Sequence, residues 1–89
     1  MKKLRYSHQF KKDFKRYRNR PRLLAELKSI LDCLAEGKAI PPEKRPHMLT
    51  GDYAGCMECH VGPDFLLIWQ DEATDTIYLV RLGSHSELF

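Results

Sequence analysis

The sequence predicts an α+β fold of order β-α-α-β-β-β, with a helical hairpin packed on one face of a mainly antiparallel four-stranded sheet. Three observations predict it. Phe10, Phe14 and Tyr17 recur at i, i+4 and i+7, the leucine-rich run from Leu23 to Leu34 keeps helical spacing, and three strand-like runs separated by turn residues fill the second half. The 89 residues make one domain, 1–89, and 43% apolar with 30% charged residues is a globular composition that excludes a disordered tail.

Lys3–Tyr6 alternates polar and apolar and stops at Ser7, which predicts a short strand followed by a helix N-cap. The first helix buries its aromatic stripe and leaves Lys11, Lys12, Lys15, Arg16 and Arg18 on its other faces. Asn19-Arg20-Pro21 interrupts that pattern, and proline suits the first position of a new helix because its missing N–H is unneeded there. Leu23, Leu24, Leu27, Ile30, Leu31 and Leu34 carry the second helix to Gly37, placed as a C-terminal cap. Residues 38–52 hold Pro41, Pro42, Pro46 and Gly51, a long irregular connection that contains His47. Strands are expected over 53–61, 65–69 and 77–82, joined by turns at Gly62-Pro63-Asp64 and at 71–75. The helices would cover one sheet face and leave the other free for a ligand.

Ten of the fifteen Lys and Arg residues lie within residues 1–22, where Asp13 is the only acid. Such a concentration suits phosphate backbones. No apolar run approaches the roughly 20 residues needed to cross a bilayer, and no hydrophobic signal segment follows the N-terminal charges. The expectation is a cytoplasmic protein without membrane contact, its three cysteines reduced thiols.

Cys56-Met57-Glu58-Cys59-His60 matches the C-x-x-C-H pattern of haem attachment. In a strand, however, positions i and i+3 face opposite sides about 10 Å apart, beyond the reach of a disulfide. Zinc would need a second ligand pair that Cys33, alone on a helix, does not supply. No cofactor or metal is expected. Strict alternation places Tyr53, Gly55, Met57, Cys59 and Val61 on one face and Cys56, Glu58 and His60 on the other. In the last strand it groups Tyr78, Val80 and Leu82 against Ile77, Leu79 and Arg81, and lets Arg81 approach Glu58 or His60 across the sheet.

Histidine changes charge near neutrality, so a pair can act as base and acid together. Cleavage of RNA needs that combination: a base for the 2′-hydroxyl, an acid for the leaving 5′-oxygen, and cations for the crowded phosphoryl oxygens. The plainer readings are a surface histidine for His8, a turn residue for Asp64, a cross-strand ion pair for Glu58 and Arg81 worth under about 1 kcal/mol, and a frayed end for Phe89.

The segments His47-Met48-Leu49-Thr50-Gly51, Glu58-Cys59-His60-Val61-Gly62-Pro63-Asp64 and Arg81-Leu82-Gly83-Ser84-His85-Ser86-Glu87-Leu88-Phe89 resemble YafQ-type toxins of the RelE/ParE-like superfamily, and the resemblance covers essentially the whole chain. It implies an endoribonuclease that cleaves messenger RNA, typically in the ribosome, without a metal and under the control of a cognate antitoxin. It implies a catalytic group of His47, His60, Asp64 and His85, with His85 as general acid, His47 and His60 as bases or phosphate ligands, and Asp64 as orienting carboxylate or alternative base. Arg81 would stabilise phosphate charge and Phe89 would contact a nucleotide. Glu58 and the basic residues Lys11, Lys12, Lys15 and Arg16 complete the expected substrate-binding set. Met57 and Glu58 depart from the arginine and aspartate common at these positions in relatives. Operator DNA would be met only through the antitoxin complex. Two alternatives are a ParE-like toxin that inhibits gyrase without cutting RNA, and a non-catalytic basic RNA-binding module.

Overall fold

The computed structural model describes residues 1–72 and 74–89. In chain order its elements are β1 (Lys3–Tyr6), α1 (His8–Arg16), α2 (Pro21–Glu36), β2 (His47–Met48), β3 (Met57–Gly62), β4 (Phe65–Glu72), β5 (Thr76–Gly83) and α3 (His85–Leu88). Ser7 Oγ accepts the Phe10 N–H at 2.8 Å and donates to the Val80 carbonyl at 2.7 Å, so the cap of α1 also ties the helix to β5. Pro21 opens α2, and Gly37, at φ 70°, closes it by donating its N–H to the carbonyls of Cys33 and Leu34.

The sheet has five strands in the order β1-β5-β4-β3-β2, parallel only between β1 and β5. The four-stranded expectation is thus corrected by one. The extra strand is β2, inside the proline-rich connection, where His47 pairs with Glu58 and Met48 with Met57. Two residues are too few to carry a readable alternation. The strand expected from 53 begins at Met57, because Gly51–Tyr53 forms a 3₁₀ turn and Gly55, at φ 88°, bends the chain behind it. β4 runs to Glu72, into the turn expected at 71–75, of which Ala73 lies outside the described residues.

The helices bury Phe10, Leu27, Ile30 and Leu34 against Cys59, Val61, Phe65 and Leu67 on one face of the sheet. The opposite face, expected to be free, carries a second cluster. Cys56, Leu66, Ile68 and Leu88 pack there with Leu49, Tyr53 and Val80, so the loop before β3 and the C-terminal helix cover much of it. Cys56 and Cys59 therefore sit in different clusters, and burial pushes both thiols up, Cys59 to about 12. Tyr53 joins the Cys56 side rather than the Cys59 side, because the turn at Gly55 breaks the alternation before Met57.

A second correction concerns β5. Ile68 pairs with Arg81 and Trp69 with Leu79, which leaves Val80 as the unmatched residue of a bulge. Ile77, Leu79 and Leu82 consequently face the helices, while Arg81 goes to the other side with Val80. Its guanidinium turns around the sheet edge to the buried Asp13 of α1, with Nε 2.8 Å from Oδ2, and Asp13 also accepts the Leu82 N–H at 3.0 Å. That carboxylate, rather than Glu58 or His60, is the partner of Arg81, and it holds the guanidinium above its ordinary pKa.

Candidate active site

The pairing of β2 with β3 sets His47 opposite Glu58, and His60 follows two residues along β3 on the same face. The His47 and His60 rings lie 6.5 Å apart between centroids. Glu58 is only 5% exposed. Its Oε1 is 3.2 Å from His47 Nε2, while Oε2 is buried with no hydrogen-bond partner among the described residues. His47 Nδ1 lies 2.8 Å from the Arg45 carbonyl oxygen. One ring nitrogen thus faces a backbone carbonyl and the other a buried carboxylate oxygen, which together fix the plane of the imidazole.

Leu66 stands between the two rims of the face: it pairs with His60 on one side and with Gly83 on the other, two strand spacings or about 10 Å in all. Beyond Gly83 the chain turns into α3. Ser84 and Glu87 form a reciprocal capping box, with the Ser84 N–H 2.8 Å from Glu87 Oε1. Gly83 has to be small here, since a Cβ would lie 3.0 Å from that oxygen. Glu87 also accepts from Arg16 at 2.8 Å and from the Tyr17 hydroxyl. These donors, the Ser84 backbone first, draw its carboxyl down to about 2, while burial and then Glu87 raise Tyr17 to about 12. The C-terminal helix is thereby fastened to α1.

Fastening α3 positions His85 and Phe89. The His85 backbone N–H donates to Asp64 Oδ1 at 2.9 Å, so the carboxylate of the β3–β4 turn holds the start of α3 through the main chain, not through the imidazole. Asp64 sits at φ 49°, a conformation that aspartate tolerates better than most residues. The Phe89 ring lies 5.1 Å from His85 and 5.5 Å, edge-on, from Tyr53. The Tyr53 hydroxyl donates to the Leu88 carbonyl at 3.2 Å and accepts from Arg81 Nη1 at 3.4 Å.

Two groups thus border one face: His47, Glu58 and His60 on one rim, and Asp64, Arg81, His85 and Phe89 on the other. Sequence reasoning missed Tyr53, which links Arg81 to the terminal helix, and Asp13, which orients Arg81. Neither carries a local motif, although Asp13 is the one acid of a basic stretch. The Ser84-x-x-Glu87 spacing does announce α3. The expected basic contacts are elsewhere: Lys11 and Lys15 line an apolar groove with Phe10, Phe14 and Leu27, Lys12 is exposed on α1, and Arg16 holds Glu87. Among the described residues no three His, Cys, Asp or Glu side chains converge in a set that could hold a metal ion.

Comparison with known proteins agrees with this architecture. The family model described as "Bacterial toxin of type II toxin-antitoxin system, YafQ" matches residues 2–89. The mRNA interferase toxin YafQ of Escherichia coli K12 is 32% identical over 88 residues, spanning 97% of this chain and 94% of that protein. A metal-bound toxin from Helicobacter pylori superposes with a TM-score of 0.89 at 38% identity, over all of both chains. The E. coli DinJ-YafQ complex contains a chain that superposes at 0.86 with 29% identity, covering 100% of this chain and 99% of that one.

Proposed function

Because this chain belongs to the YafQ family of bacterial type II toxin–antitoxin toxins, we propose that the face bordered by His47, His60 and His85 cuts messenger RNA by acid/base attack of the 2′-hydroxyl on the adjacent phosphodiester. The protein is an endoribonuclease of the mRNA interferase class, and an antitoxin is its partner. The observation that carries the mechanistic reading is the pair of imidazoles 6.5 Å apart on the sheet face that His85 borders.

The geometry divides the work. His47, oriented by the Arg45 carbonyl and the buried Glu58, acts on the phosphoryl oxygens. His60, half-buried beside it, takes the 2′-hydroxyl proton. His85, exposed at the start of α3, gives a proton to the departing 5′-oxygen, and Asp64 keeps it in place through its backbone. The P–O5′ bond breaks as the O2′–P bond forms, leaving a 2′,3′-cyclic phosphate upstream and a 5′-hydroxyl downstream. Arg81 reaches the phosphate with the part of its guanidinium not engaged by Asp13, and Phe89 stacks on a base. Glu58 acts through His47. The cut falls on messenger within translating ribosomes in the cytoplasm, and operator DNA is met only through the antitoxin complex. No helix of the described residues is long and apolar enough to cross a membrane.

Induction of the wild type against His85→Ala, with mapping of transcript ends in the same cells, tests this reading. Upstream fragments are expected to end in a cyclic phosphate or its hydrolysed 3′-phosphate. Fragments ending in 3′-hydroxyl, or unchanged cutting by His85→Ala, would overturn it.

A further inference from the structure

We propose that a basic groove beside the β3–β4 turn is a second RNA subsite, which takes the phosphodiester backbone of the substrate strand where it leaves the catalytic face. The proposal rests on the nuclease reading and extends it to side chains outside the catalytic group.

The groove, about 620 Å³ in volume, lies between the start of α2 and the β3–β4 turn, where Asn19, Arg20, Arg22, Lys44, Gly62 and Pro63 line it. Lys44 is fixed, donating from Nζ to Glu26 at 2.6 Å and to the Val61 carbonyl at 3.0 Å. Glu26, the one carboxylate on the groove, is thereby neutralised. Arg20 and Arg22 are exposed, and among the described residues neither lies within ion-pair distance of a carboxylate, whereas Arg5, Arg16 and Arg81 each hold one. Two unengaged guanidinium groups are suited to phosphate oxygens, which they can bind in bidentate fashion.

Position selects the ligand. Pro63 lines the groove and is bonded to Asp64, whose carboxylate holds His85. The groove therefore adjoins the turn that carries Asp64. Among the described residues no aromatic side chain lines it, so it offers bases no stacking surface and would hold the backbone without regard to sequence. The apolar groove between α1 and α2 is the converse case, with Tyr6, Phe10 and Phe14 among its lining residues.

The test compares Arg20→Gln/Arg22→Gln with Lys28→Gln/Lys38→Gln, which removes equal charge from exposed lysines already paired with Asp32 and Glu36, both in a His85→Ala background that slows cutting. Arg20 contributes no side-chain capping bond to α2, so folding should survive its replacement, and thermal melting checks this. Affinity for a single-stranded oligoribonucleotide is measured over a range of salt. For two lost phosphate contacts the slope of log K against log salt should become shallower by about 1.4 in the arginine variant, against little change in the lysine variant. With His85 restored, the arginine variant should cut saturating substrate within about threefold of wild type, since ~1 kcal/mol or less separates such rates. An unchanged slope, an equal change in both variants, or absence of salt-dependent strand binding by the parent would overturn the proposal while leaving the nuclease intact. If the wild type cuts no messenger even on translating ribosomes, the nuclease reading itself falls and this inference with it.

Discussion

Glu58 faces His47 across the β2–β3 pair, one carboxylate oxygen 3.2 Å from the imidazole Nε2 and the other sealed away from solvent without a partner among the described residues. Burying half of a carboxylate in this way is costly unless a partner offsets it. The pair therefore ties the position of His47 to the identity of residue 58.

Glu58→Gln should loosen that tie, because an amide keeps the shape of the carboxylate without its charge. We expect the His47 ring to lose its fixed position, read as changed NMR shifts of its ring protons, and cleavage to slow by about 10- to 100-fold, the worth of an interaction with a charged group. A His47 spectrum indifferent to the substitution would remove Glu58 from the mechanism.

His85→Ala should lower single-turnover cleavage by about 10²- to 10⁴-fold, the usual contribution of a positioned proton donor. RNA affinity should change far less, because the loss falls on the leaving step. Equal losses in affinity and rate would make His85 a binding residue.

Asp64 holds His85 through the main chain, which makes its charge dispensable and its oxygen necessary. Asp64→Asn keeps an acceptor and tolerates φ 49°, so it should retain cutting within about tenfold, as expected when one capping acceptor replaces another. Asp64→Gly keeps the backbone but loses the acceptor, and should fall well below it. If Asn and Gly are equally inactive, the carboxylate is itself the base.

The Glu87 carboxyl is drawn down to about 2 by the Ser84 backbone and then by Tyr17, well below its ordinary 4.5. A group lowered on folding stabilises the native state above its unfolded pKa and loses that contribution as pH falls toward the folded one. Urea unfolding should therefore show wild-type stability declining between about pH 5 and pH 2 more steeply than that of Glu87→Gln. Parallel declines would mean that the carboxylate does not hold α3.

Much of this was legible in the sequence, for identifiable reasons. Ser7, Pro21 and Gly37 act as local signals, the first two opening helices and the third closing one where expected. Glu58 and His60 could be placed on one face because period-two alternation holds from Met57 to His60, while the grouping of His60 with His47, Asp64 and His85 came from the family resemblance. What escaped was non-local. β2 is too short to show a pattern, and its pairing alone creates the His47–Glu58 contact. Arg81 was assigned to the wrong side because alternation cannot reveal one unmatched residue, and its tie to Asp13 spans 68 positions of chain. Tyr53 joins the site through a turn whose geometry depends on Gly55.

Val80 has no opposite number on β4, and from that surplus follows a kind of ratchet. Were β5 to slide into unbroken step with its neighbour, the guanidinium would be driven among Leu79 and the helix side chains and Leu82 would be pushed into water. Neither exchange is tolerable, so the strand has one resting phase. The half-step offset thereby decides on which side of the molecule the reactive tail emerges, and an insertion or deletion anywhere between Thr76 and Gly83 should silence the toxin even with every histidine intact.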